Sequence, residues 1–261
     1  MLKTRIMTSI VALLVLGVIL FILPPSAAEL IIGLLILAGA WEWSAFLGLS
    51  SPTNRGVYVA AIAALVVASY ALFPAGSVIV LQIAFLWWFG AFIWTMFFPT
   101  PIPRFVRWVA GALVLVPLFT ALIVLYRIGP EKLLFSLLIV WAADAGAYFV
   151  GKRFGRVKLA PSISPGKTWE GVFGGLLVVA VLAIVGTRWT DAGLAVLLPF
   201  CLAVAALSIV GDLTVSMFKR TAGLKDSGSL FPGHGGVLDR IDSVAAAAPL
   251  FALGLSWLGL V

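Results

Sequence analysis

Hydrophobic positions in this chain run in long unbroken blocks, without the polar interruptions that mark one-sided soluble helices and strands. Nine blocks stand out, over roughly 6–23, 28–48, 57–73, 77–98, 106–126, 133–150, 170–187, 192–212 and 243–260. Each is near the roughly 20 residues that a helix needs to cross a bilayer. Continuous apolarity predicts helices, because barrel strands alternate lipid-facing with lumen-facing residues. Pro24-Pro25, Pro74, Pro99, Pro101 and Pro103 fall at the breaks, where a missing N–H is least harmful. The predicted fold is therefore all-α: a polytopic transmembrane helical bundle of about nine spans. Lys3, Arg5 and Ser26-Ala27-Ala28 give the first block the flanks of a cleaved leader. Its apolar stretch of about 18 residues is long for a leader core and runs straight into a second block, so it reads as a span.

Composition agrees. Of 261 residues, 63% are hydrophobic and 10% charged, whereas a soluble domain is about half apolar and a quarter charged. The single cysteine, Cys201, lies in an apolar run. It excludes an intrachain disulfide and a thiolate metal cluster, and reads as a packing residue. A single histidine, His234, excludes a two-His zinc site. Any metal must rest mainly on oxygen ligands, which favours Mg²⁺ or another hard cation.

The formal net charge is +7. No basic run with interleaved aromatics resembles a nucleic-acid module, so the charge points to topology and to anionic lipid or substrate. With the N-terminus in the cytoplasm, the inside set holds Lys3, Arg5, Arg55, Arg104, Arg107, Lys152, Arg153, Arg156, Lys158, Lys167, Lys219, Arg220, Lys225 and Arg240. Only Arg127, Lys132 and Arg188, of the 17 cations, fall outside. This asymmetry is the positive-inside pattern, and it puts the C-terminus outside. Trp41, Trp43, Trp87, Trp88, Trp108, Trp189 and Trp257 lie near span ends and read as interfacial anchors.

The chain divides into N-terminal transmembrane helices over 1–126 and a C-terminal region over 127–261. The latter carries two long cytoplasmic loops, 151–169 and 213–242. Long, charged, glycine-rich loops on one face are where function is expected.

The second loop runs from Ser216 through Lys219-Arg220, Lys225-Asp226, Gly228 and Pro232-Gly233-His234-Gly235-Gly236 to Asp239-Arg240 and Asp242. Its glycines let backbone N–H groups approach an anion. Lys219, Arg220, Lys225 and Arg240 supply charge for phosphates. Asp239 and Asp242, three apart at the start of the last helix, share a face, and Asp212 ends the preceding span. Together these carboxylates can hold a metal that bridges phosphates. A solvated positive-inside loop explains the cations but not the carboxylates and glycines.

Elsewhere, Asp144 and Asp212 lie within or at the edge of apolar spans. Each needs a partner, solvent or a metal. Glu42, between Trp41 and Trp43, lies away from the two loops and reads as structural or as a residue of the lipid-facing edge. His234 either bonds a phosphate or nucleotide or holds the loop. Gly166-Lys167-Thr168 invites a P-loop reading, but position 161 is proline where that motif needs glycine.

The stretch from Ser216 to Asp242 is similar to the signature of the phosphatidate cytidylyltransferase family: Ser-x-x-Lys-Arg, then Lys-Asp, then Pro-Gly-His-Gly-Gly-x-x-Asp-Arg-x-Asp. Asp144-Ala-Gly146-Ala-Tyr148 through Gly155, and Ser162 through Gly171, resemble further segments of that family. The resemblance implies an integral membrane nucleotidyltransferase of phospholipid biosynthesis that joins CTP to phosphatidic acid, giving CDP-diacylglycerol and pyrophosphate. It implies Mg²⁺, with room for a second cation, on Asp212 and Asp239, with Asp242 and Asp144 as further candidates. Lys219, Arg220 and Arg240 would clamp phosphates, followed by Lys167 and Lys225. Ser216 would donate to a phosphate oxygen. Asp226, Gly233, His234, Gly235 and Gly236 would shape the nucleotide pocket. The expected setting is a bacterial inner membrane with the site facing the cytoplasm, and the expected assembly is a homodimer.

Overall fold

The structure, a computed structural model, describes residues 2–188, 192–228 and 235–260, with backbone alone over 2–9. Nine α-helices and one hairpin follow in order among the described residues: α1 Leu2–Phe21, α2 Pro25–Phe46, α3 Pro52–Ala71, α4 Ser77–Met96, α5 Arg104–Ile128, α6 Pro130–Phe154, β1 Lys158–Ala160, β2 Ser164–Thr168, α7 Trp169–Gly186, α8 Leu194–Thr221 and α9 Leu238–Trp257. Pro25, Pro52 and Pro130 open their helices, where the ring pre-sets the backbone and no N–H is missed. Every predicted apolar block overlaps one helix. Seven helices, α2 to α8, are long and apolar enough to cross a membrane. The chain is an all-α polytopic membrane protein.

Helix α9 is 20 residues long but opens on Asp239, Arg240 and Asp242. It lies at the centre, packed by α8, α5, α4 and α6, and its small residues Ala245 to Ala248 are fully enclosed. Small side chains let neighbouring backbones come close where apolar contact gains nothing over lipid. Helices α6 and α7 use the same device, with Gly146 against Gly174 and Gly175. Helices α2, α3 and α5 form a second packed group, and α1 touches chiefly α2.

Three expectations change. Residues 213–221, predicted as loop, continue α8 as helix to Thr221. Their polar residues do not end the helix, and Leu213, Val215, Met217 and Phe218 among them stay buried. In the other predicted loop, 151–154 extends α6, and β1 pairs antiparallel with β2. Trp43 and Trp88 are not interfacial anchors but wholly buried core residues. Trp43 packs on Phe46 and Phe218 with ring centroids 5.3 and 5.1 Å away, and its indole N–H donates to the Arg107 carbonyl. Trp41 and Trp257 do stay exposed, and Trp189 lies outside the described residues.

Candidate active site

Because α8 runs on to Thr221, Asp212, Ser216, Lys219 and Arg220 stand four, seven and eight residues apart on one helical stripe. Gly211, beside Asp212, meets α9 directly. A Cβ there would press on the Asp242 carbonyl and the Ala246 side chain. That close approach sets Asp212 of α8 and Asp242 of α9 side by side. Asp212 lies near enough to Asp144 of α6 and to Asp242 for its charge to repel both, and Lys167 and Arg240 offset this at Asp144.

Each remaining element delivers one part. The β1–β2 hairpin carries Lys167 over the stripe, and its Nζ lies 2.7 Å from the Asp212 carboxylate. Ser216 Oγ donates to the other Asp212 oxygen at 3.0 Å. The hairpin is tied down at both ends. Thr168 caps α7 by accepting from the Gly171 N–H, and Arg220 Nε donates to the Ile163 carbonyl at 3.1 Å. Lys167 and Asp212 each keep about a quarter of their side-chain surface open, 25% and 26%, and Asp144 is exposed in mid-helix. An open carboxylate at that depth needs a water-filled recess.

Deeper in, Lys219 Nζ lies 2.8 Å from Asp239 Oδ1 and 3.8 Å from Asp242 Oδ2. The other Asp239 oxygen accepts the N–H groups of Ser227 and Gly236, both at 2.9 Å. Asp239 thus gathers the two arms of the glycine loop. Gly235 has φ of 80°, in the left-handed region that suits glycine. Lys225, Asp226 and Arg240 are exposed beside it. Gly233 and His234 lie outside the described residues.

Glu42 departs from its sequence reading. It does not lie away from the loops. The residue is 8% exposed, and its carboxylate accepts Ser227 Oγ–H and the N–H groups of Val237 and Leu238, each at 2.9 Å. A signal was present: α9 starts after Val237, which has no side-chain acceptor for the orphan N–H groups of a helix start. A buried glutamate elsewhere in a membrane chain is the matching acceptor.

As a set, these residues offer hard carboxylate oxygens interleaved with cations. Among the described residues, no three His, Cys, Asp or Glu side chains converge closely enough to enclose a metal. A Mg²⁺ ion here would take one or two of these carboxylates and complete its shell with water and substrate phosphates.

Comparison with known proteins agrees along the whole chain. A phosphatidate cytidylyltransferase of Pseudomonas aeruginosa is 43% identical over 266 residues, covering 98% of this chain and 97% of that protein. One of Haemophilus influenzae is 36% identical over 285 residues, covering 97% and 98%. One of Staphylococcus epidermidis is 44% identical over 124 residues, covering 47% and 48%. The profile of the cytidylyltransferase family matches residues 3–258, and the chain belongs to that family.

Proposed function

We propose that this protein is an integral membrane phosphatidate cytidylyltransferase, which transfers the cytidylyl group of CTP to phosphatidic acid and releases pyrophosphate. The observation that carries the reading is the meeting of Lys167, Asp212, Lys219, Asp239 and Asp242 at one end of the bundle, in a chain whose near full-length relatives bear that name.

The lipid phosphate oxygen attacks the α-phosphorus of CTP, and the bond to pyrophosphate breaks. A phosphomonoester is largely dianionic near neutral pH, with a second pKa of about 6, so no strong base is required. The barrier is the approach of two polyanions, and positioning with charge neutralisation lowers it. Lys167 is the cation best set for this, because its hairpin swings it over the open recess. Arg240 and Lys225 are exposed and available to phosphates. Arg220 holds the hairpin through Ile163 and so positions Lys167. Ser216 orients Asp212. Asp212, with Asp242 or Asp144 as its neighbour, would hold Mg²⁺. Asp239, already engaged by three donors, would shape the pocket wall and is the second ligand expected from the signature. A bound Mg²⁺, with or without a second cation, supplies positive charge to the CTP phosphates.

The distribution of Lys and Arg supports a cytoplasmic N-terminus, nine spans and a site facing the cytoplasm, and the bacterial relatives support a bacterial inner membrane. Glu29 and Glu42 lie 13 residues apart on α2, or about 20 Å along its axis. The Glu29–Arg127 pair, at 2.6 Å, therefore marks the opposite end of the bundle and is assigned to the outer face. Membrane lipids surround the exposed apolar flanks of α1, α3 and α4, and a homodimer is the assembly we assign.

The test is transfer of radiolabelled CMP from CTP to phosphatidic acid by the detergent-purified protein. Formation of CDP-diacylglycerol supports the reading. Transfer to some other lipid, with none to phosphatidic acid, would replace the acceptor. No use of CTP by a folded sample would sink it.

A further inference from the structure

Glu42 stands outside the signature, 195 and 196 residues from the N–H groups that it accepts. Three facts make it more than a buried charge that found a partner. It supplies the N-terminal cap that α9 lacks in its own sequence, and an anion there also meets the positive end of the helix dipole. It holds both arms of the glycine loop, through Ser227 on one side and Val237 and Leu238 on the other. The backbone of Gly228 and Gly236 is pressed so close that a Cβ on either would strike the Glu42 carboxylate.

Asp239 closes the same two arms from the opposite side, through the N–H groups of Ser227 and Gly236. Ser227 is the shared hinge, giving its N–H to Asp239 and its hydroxyl to Glu42. Two carboxylates from α2 and α9 thus clasp the base of the loop between Ser227 and Leu238. We infer that Glu42 is a positioning residue for the reaction: it fixes where Ser227 and Val237-Leu238, the two ends of the glycine stretch, stand at the site, without touching substrate. This rests on the cytidylyltransferase reading. It also gives α2, in the part of the chain without the signature, a defined task at the site.

The test compares Glu42→Gln and Ser227→Ala with the wild type, in detergent with Mg²⁺. The glutamine keeps one acceptor oxygen and sets an amide N–H₂ against the donor or donors of the other, Val237 N–H or Ser227 and Leu238, so the clasp loosens while side-chain size is kept. The Michaelis constant for CTP is expected to rise at least about tenfold, as for loss of one charge-assisted bond. Dependence on the mole fraction of phosphatidic acid should stay within about twofold. Ser227→Ala should move the CTP constant in the same direction by less, and the double variant should be no worse than Glu42→Gln alone, since both break one unit. Hydrogen exchange of the peptide holding Val237 and Leu238 should quicken in Glu42→Gln.

Unchanged CTP affinity and unchanged exchange would overturn the inference. So would an equal loss toward both substrates with Ser227→Ala silent, because that is the behaviour of general destabilisation. If Glu42→Gln does not fold, Ser227→Ala decides by the same CTP readout. A wild type that uses no CTP would defeat the cytidylyltransferase reading instead, and exchange at Val237 and Leu238 would still decide for or against the clasp.

Discussion

The ammonium of Lys219 lies 2.8 Å from the carboxylate of Asp239, and both side chains are only 8% exposed. The pair joins the end of α8 to the start of α9 at the floor of the recess. Breaking such a pair leaves an uncompensated buried charge, at a cost of about 3–5 kcal/mol. Lys219→Met should therefore lower the thermal midpoint in detergent as well as abolish transfer. Asp239→Asn should do the same, because its amide N–H₂ would face either the Lys219 ammonium or the N–H donors of Ser227 and Gly236. An Asp239→Asn protein with normal midpoint and normal transfer would remove Asp239 from the site.

Lys167 and Asp212 make the contrast. Their contact is as short, at 2.7 Å, but each side chain is about a quarter open. Partly solvated pairs contribute less than about 1 kcal/mol. Lys167→Met should leave the thermal midpoint nearly unchanged while transfer falls by about a hundredfold or more, the scale for losing a charge that acts on the transition state. Circular-dichroism melting and the CMP-transfer assay on one preparation separate the two effects. A large drop in midpoint with little loss of turnover would make Lys167 structural.

Much of this arrangement is legible in the chain, and the reasons for the rest are specific. Helices are readable because lipid demands unbroken apolar runs, and all nine runs lie on helices. The stripe from Asp212 to Arg220 is less so. Polarity near a membrane surface looks the same in a loop and in a helix that projects beyond it, so residues 213–221 read as loop. Asp239 and Asp242 on one face followed from spacing alone. The Lys219–Asp239 pair did not, because both residues read as ligands of substrate or metal. Glu42 was hidden for another reason: two of its three partners are backbone N–H groups, which carry no sequence identity. Trp43 and Trp88 misled because an indole at a span end serves an interface or a core equally well.

Gly211 permits a substitution test of the helix crossing. A Cβ at this position presses on the Asp242 carbonyl and on Ala246, and overpacking of this kind costs about 1–3 kcal/mol. Gly211→Ala should lower the midpoint and, by parting α8 from α9, separate Asp212 from Asp242. Transfer should fall further than in an alanine variant at Gly56, whose Cβ would meet open space. Equal activity of the two variants would mean that the spacing of Asp212 and Asp242 is immaterial.

The oxygen-rich donor set makes the reaction a test of metal use. Chelation should abolish transfer, and added Mg²⁺ should restore it. Asp212→Asn should raise the Mg²⁺ concentration needed for half-maximal rate by about ten- to a hundredfold, the range seen when the surroundings of a metal site are impaired. Binding of Mn²⁺, followed by electron paramagnetic resonance without substrate turnover, checks the same point directly. Full activity under chelator would leave the carboxylates with a purely electrostatic task.

Orientation can be read by chemical labelling, because the native cysteine stays silent. Cys201 is fully buried in α8, so a single introduced cysteine reports alone. Lys225 is exposed beside the recess and Glu131 is exposed at the start of α6, at the end of the bundle assigned to the outer face. In intact bacterial cells, a membrane-impermeant maleimide should label Glu131→Cys and spare Lys225→Cys. In inside-out vesicles the pattern should reverse. Labelling of both from one side would break the charge-based topology. Labelling of Lys225→Cys from outside would put the recess on the face that cytoplasmic CTP cannot reach.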